Sequence, residues 1–245
     1  MASSRFPGKP LAPILGTPMI EHVFHRSSLG RGTERVFVAT CDDEIRQVVE
    51  GFGGNVVMTS GDHRRASDRV AEAAAMVDAD FIVMVQGDEP MVTPAMIDSA
   101  VAPFASDPTL QCVNLASRIR SEAELLDANT IKVVFARDGS ALYFSRQPIP
   151  DNGGGELLDV EAHKQVCVIP FRRAALDLFH RLPATPLEES ESIDMLRFLE
   201  HGHRVQIVPI DEYTHPVDTP DDLREVETLL REDPLVRDYL PRGPS

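Results

Sequence analysis

The sequence predicts an α/β fold with a mainly parallel sheet and a hairpin-containing insertion, on three observations. Strand-like and helix-like segments alternate through the first hundred residues. The runs Arg35–Thr40 and Phe81–Gln86 are continuous and rich in apolar residues, as in strands covered on both faces. Asp138-Gly139 separates two apolar runs, 130–136 and 141–146, which signals a hairpin.

The elements follow in order. Thr17-Pro18 reads as a helix cap and first helical residue, ahead of Met19, Ile20, Val23 and Phe24, with Gly30 as the stop. After strand 35–40, Asp42 caps a helix carrying Ile45, Val48, Val49 and Phe52, closed by Gly53. A short strand at 55–59, an Ala-rich helix at 67–76, strand 81–86 and a helix from Thr93-Pro94 follow. Beyond the extended stretch 110–119 and the hairpin, Asp151-Asn152-Gly153-Gly154-Gly155 reads as a mobile loop. A strand at 165–171, a helix at 172–182, a longer helix at 187–201 and a strand at 204–210 come next. The last helix is capped by Thr219-Pro220-Asp221-Asp222. The acids Glu188, Glu189 and Glu191 complement the dipole of the helix they open.

Composition excludes several function classes. A net charge of −15 rules out binding of nucleic acid through general electrostatics. A negative chain can hold an anionic nucleotide only through a local cationic loop, aided by Mg²⁺. The cysteines, Cys41, Cys112 and Cys167, are dispersed, as in a reduced cytoplasmic protein. No apolar run approaches the roughly 18 residues of a membrane helix, so no membrane partner is expected.

The loop Ser3-Ser4-Arg5-Phe6-Pro7-Gly8-Lys9-Pro10-Leu11 supplies the cations. Pro and Gly keep it out of helix and strand, and Arg5 and Lys9 suit a polyphosphate. Asp88, in Gln86-Gly87-Asp88-Glu89-Pro90, lies at the carboxyl end of the strongest strand, where α/β sheets bind ligands. Asp218 lies just before the last helix. Taken singly, each is explained as a turn or cap residue. Together, two carboxylates with phosphate oxygens and waters make an octahedral Mg²⁺ site.

These strings, with Ala141-Leu-Tyr-Phe-Ser-Arg-Gln-Pro-Ile-Pro150 and Val217-Asp218-Thr219-Pro220, occur in one order along the chain. The sequence thereby closely resembles the CMP-Kdo synthetases, the 3-deoxy-manno-octulosonate cytidylyltransferases. The resemblance implies a Rossmann-like nucleotidyltransferase fold, a homodimer, and transfer from CTP to a 3-deoxy-2-ulosonic sugar acid in lipopolysaccharide biosynthesis. It implies that Arg5 and Lys9 hold the triphosphate, that Asp88 and Asp218 ligate Mg²⁺, and that Ser67 and Asp68 lie near the cytosine. Gln86 and Arg146 would contact the sugar acid, Arg146 through its carboxylate, with Gln165 and Asp194 in the same pocket. It divides the chain into a nucleotide-binding part (1–110), a sugar-acid and dimerisation part (111–212) and a C-terminal metal-ligand segment and helix (213–245).

Two departures qualify the resemblance. The family places a strand and an Ile-Pro-Ala-Arg string before the loop, where four residues precede Arg5 here, so Met1 is expected to be an internal residue of a longer natural protein. Gln165, Ile169 and Met195 stand where the family shows His, Tyr and Gln, which points to an acceptor related to Kdo. A same-fold enzyme with another acceptor, or a catalytically silent homologue, are the competing readings.

Overall fold

The computed structural model describes residues 6–150 and 161–240. Arg5 and the glycine-rich stretch 151–155 lie outside the described residues. The chain runs β1 (Pro13–Ile14), β2 (Thr17–Pro18), α1 (Met19–Ser28), β3 (Phe37–Thr40), α2 (Asp43–Gly51), β4 (Asn55–Met58), α3 (Ala66–Ala74) and β5 (Phe81–Val85). It continues with α4 (Pro94–Val101), α5 (Pro103–Ser106), β6 (Cys112–Arg118), α6 (Glu122–Leu126), β7 (Lys132–Phe135), β8 (Ala141–Ser145), β9 (His163–Val166) and β10 (Val168–Arg172). The last elements are α7 (Arg173–Arg181), α8 (Pro186–Glu191), α9 (Met195–Glu200), β11 (Val205–Ile210) and α10 (Pro220–Glu232).

Two compact units emerge. The first comprises Met1–Gly61, Val85–Asp98 and Thr214–Ser245; the second comprises Asp62–Met84 and Ser99–Tyr213. In the first unit β3 and β4 pair in parallel, and β1 and β2 form a small antiparallel ribbon. Ile14, Met19, Val217, Val226 and Leu230 form one buried cluster there, and Ile20, Val38, Ile45 and Val49 another. Thr17-Pro18 does not open the helix as expected. The chain reverses through Leu15 and Gly16, both at positive φ, so Thr17 and Pro18 pair back onto β1 and α1 begins at Met19.

The second unit is built on a seven-stranded sheet in the order β5-β10-β6-β9-β7-β8, with β11 also paired to β6. The α/β class stands, but pairing is not mainly parallel. β11 joins β6 in parallel, whereas β10 and β9 pair with β6, and β7 pairs with β8 and β9, all antiparallel. The physical reason is visible in β6, where six of seven residues are buried although two of its partners run against it. A continuous apolar run reports burial on both faces and says nothing of strand direction. The hairpin at Asp138-Gly139 forms as expected, with Gly139 at φ 80°.

The helix expected over 187–201 is two helices, α8 and α9, broken at Ser192, which is left-handed at φ 58° and ψ 46°. Three inward contacts account for the break. The Arg146 guanidinium donates to the carbonyls of Glu191 and Ser192, Arg65 donates to Ser192 Oγ, and Asp194 turns its carboxylate onto α3. Glu188 is fully buried beneath Arg197, so it does far more than complement a helix dipole.

Candidate active site

In the first unit, three residues from three separated strings meet. Gly8, at φ 73°, precedes a 3-10 turn, Lys9–Leu11, in which Pro10 fixes the backbone. That turn leaves Lys9 largely buried, with its Nζ 2.8 Å from Asp88 Oδ2 and 3.2 Å from Asp218 Oδ1. Burial opposes the Lys9 charge, but attraction to Asp88 and Asp218 outweighs it and raises the pKa above its ordinary value.

Backbone contacts fix the two carboxylates. Val217 N–H donates to the Asp88 carbonyl at 2.9 Å, and the adjacent side chain, Glu89, accepts from Thr214 Oγ1 at 3.0 Å. Asp218 precedes the α10 cap, where Thr219 and Asp222 form a reciprocal capping box and Asp222 also accepts from Asp218 N–H. The positive end of a helix dipole therefore lies beside Asp218. Arg26, 1% exposed, donates from Nε to the Val92 carbonyl at 2.7 Å and pairs with Asp233 at 2.8 Å, holding the segment that follows Asp88.

Gln86 also lies in the first unit, two residues before Asp88, and its carbonyl accepts from Glu89 N–H. The other expected site residues among those described lie in the second unit, where the structure joins Ser67 to Asp194. Asp194 Oδ2 accepts from Ser67 N–H at 3.1 Å and from Ser67 Oγ at 2.7 Å. Arg65, at the α3 cap position, provides no side-chain acceptor, and Asp194, the residue that precedes α9, supplies one. Burial pushes the Asp194 carboxyl up despite those bonds. Asp68 is held by Arg197 at 3.0 and 3.2 Å. Burial disfavours its charge, yet that guanidinium brings its pKa below the usual value.

Arg146 uses each guanidinium nitrogen on a backbone carbonyl: Glu191, Ala128 and Ser192. A substrate carboxylate would meet only the remaining N–H directions of its terminal nitrogens. Gln165 donates from Nε2 to Asn114 Oδ1 at 2.6 Å, and Asn114 is itself anchored through Nδ2 to the carbonyls of Leu115 and Val166. Ile169 and Met195 are buried members of the sheet's hydrophobic core. Charged residues, among them Arg65, Asp68, Glu188 and Arg197, line a cavity of about 270 Å³.

Sequence reasoning missed Glu89, Thr214, Asn114 and the Arg197–Glu188 pair as parts of this framework. Glu89 had a usable signal, since an acid beside Asp88 at the end of a strand must face either the ligand or the interior. The others have no local signal, because their partners lie 9 to 125 residues away.

The donor set fits a magnesium ion. Mg²⁺ is typically held by one or two carboxylates with substrate phosphates and water. Asp88 and Asp218 already bracket a cationic group within hydrogen-bond distance of both. Among the described residues no cluster of three or more His, Cys, Asp or Glu is arranged to hold a metal, so the remaining ligands would come from phosphate and water. No helix among the described residues is long and apolar enough to cross a membrane.

Comparison with known proteins places this geometry. Residues 1–207 match the model of the cytidylyltransferase family. The 3-deoxy-manno-octulosonate cytidylyltransferase of Geobacter metallireducens is 45% identical over 240 residues, covering 94% of each chain. The 8-amino-3,8-dideoxy-manno-octulosonate cytidylyltransferase of Shewanella frigidimarina is 42% identical over 236 residues, covering 94% of this chain and 95% of that one. A solved structure of CMP:2-keto-3-deoxy-manno-octonic acid synthetase complexed with CTP superposes with a TM-score of 0.86 at 38% identity, covering 94% of this chain and 95% of that one. With sequence and fold in agreement over 94% of its length, the chain belongs to the cytidylyltransferase family, among the 3-deoxy-manno-octulosonate cytidylyltransferases, and is a nucleotidyltransferase enzyme.

Proposed function

We propose that the protein transfers the cytidylyl group of CTP to the anomeric hydroxyl of 3-deoxy-manno-octulosonate or its 8-amino-3,8-dideoxy relative, releasing pyrophosphate. The observation that carries this reading is the convergence of Lys9, Asp88 and Asp218, three residues with no packing reason to be charged. Asp88 and Asp218 would hold Mg²⁺, which supplies charge neutralisation at the phosphates and lowers the pKa of a bound hydroxyl. Lys9 would hold and neutralise the triphosphate oxygens, and the loop behind Gly8 fixes where its ammonium can reach. Ser67, Asp68, Gln86, Arg146, Gln165 and Asp194 would serve as nucleotide and acceptor contacts, and Arg5 would share the triphosphate with Lys9.

In the reaction the acceptor oxygen forms a bond to the α-phosphorus in line, and the bond to the pyrophosphate oxygen breaks. Such transfer needs positioning and charge neutralisation and no covalent nucleophile. A homodimer acting in lipopolysaccharide biosynthesis in the cytoplasm is part of the same proposal, supported by the resemblance alone.

Pyrophosphate release with CTP, Mg²⁺ and a panel of sugar acids tests this reading. Turnover with one of the two octulosonates and none without an acid is the expected result. A preference for an unrelated acceptor would leave the fold and remove the substrate assignment, and silence with every acid would support a non-catalytic homologue.

A further inference from the structure

We propose that Glu89 and Thr214 are positioning residues that hold Asp88 and Asp218 at the spacing a divalent cation requires, and that Glu89 is not itself a ligand. The inference rests on the metal assignment made above for Asp88 and Asp218.

Glu89 is adjacent to Asp88, so its backbone is in the site. Its side chain is nonetheless withdrawn from solvent, at 2% exposure, and its Oε2 accepts from Thr214 Oγ1, which is 1% exposed. Burying a carboxylate is costly unless hydrogen bonds compensate it. The hydrogen bond spans 125 residues of sequence and lies four residues before Asp218. A second tie, from Val217 N–H to the Asp88 carbonyl, lies one residue before Asp218. The segments 88–89 and 214–217 are thus pinned at two points, and the first contains Asp88 while the second leads directly into Asp218, the two carboxylates that flank Lys9. A backbone bond alone fixes separation but leaves rotation about it, and the side-chain bond removes that freedom. Groups behind metal ligands commonly act in this way, and losing them costs about 10–100-fold in metal affinity.

The test is Mn²⁺ binding followed by water-proton relaxation, with CTP present and no acceptor, so that no turnover contributes. Thr214→Val and Glu89→Ala are expected to weaken Mn²⁺ at least about tenfold. Glu89→Gln keeps a carbonyl oxygen for the Thr214 hydroxyl and is expected to stay within about threefold of wild type. Thermal melts establish that each variant is folded, and Thr214→Val carries the test alone if Glu89→Ala does not fold. Wild-type affinity in Thr214→Val would overturn the proposal. So would a loss in Glu89→Gln as large as in Glu89→Ala, since the charge itself would then be acting. A wild-type protein that binds Mn²⁺ with CTP yet turns over no sugar acid would overturn the reaction and leave the positioning role standing. One that binds no Mn²⁺ overturns both.

Discussion

Arg197 shows how a single side chain joins the second unit together. It is 4% exposed, donates to Glu188 at 2.6 and 2.8 Å and to Asp68 at 3.0 and 3.2 Å, and lies over the Phe179 ring at 4.4 Å. Removing one partner of a buried pair leaves an uncompensated charge, at a cost of about 3–5 kcal/mol. Arg197→Met should therefore lower unfolding free energy by that amount in urea titration, and a loss below about 1 kcal/mol would contradict the account. Replacing Glu188 by Gln as well should recover part of the loss, because the orphaned charge goes with it. At this scale the sequence was legible where chemistry is local. Asp88, Asp218 and Lys9 each stand in a short string whose turn residues take them out of α-helix and strand. Glu188 was read only as a helix-start acid, and Arg197, nine residues on, carries no local signal of burial.

Among elements, the α8–α9 break is the most instructive case. Apolar spacing runs on through 187–201, and the periodicity alone has no way to register that Ser192 is left-handed. The break is imposed from outside the segment, by Arg146, Arg65 and the demand of α3 for a cap. A β-branched residue is poorly tolerated at such φ and ψ. Ser192→Val should cost about 1–2 kcal/mol, measured by chemical denaturation. Ser192→Gly should cost less than half as much, and equal losses in both would assign the effect to the lost Arg65 contact instead. Elements bounded by strong local signals were read closely: the Thr219 capping box, the Asp138-Gly139 hairpin and the Phe81–Val85 strand all form. Direction of strand pairing was not legible, because β6 is buried on both faces whichever way its neighbours run.

For the molecule as a whole, pH provides a lever on the first unit. His22 is fully buried, with Nε2 donating to the Ile14 carbonyl and Nδ1 accepting from the Tyr239 hydroxyl, each at 2.8 Å. That arrangement fits the neutral ring, and burial holds its pKa below the ordinary 6.5. The unfolded chain therefore binds the extra proton first, so stability is full above 6.5 and falls as pH drops toward the lowered folded value. Thermal midpoints between neutral pH and about pH 5 should decline, and His22→Gln should flatten that part of the decline. An unchanged slope in the variant would assign the acid sensitivity elsewhere. On the proposed reaction, a chain of net charge −15 would depend on a local cation such as Lys9 in the Gly8 loop to hold an anionic nucleotide.

Steady-state pyrophosphate release by Asp88→Asn and Asp218→Asn, each verified as folded, measures the role of the paired carboxylates most directly. Both should fall at least about a hundredfold below wild type, as expected when several kcal/mol of charge stabilisation is lost. Wild-type turnover in either variant would place the chemistry at some other group.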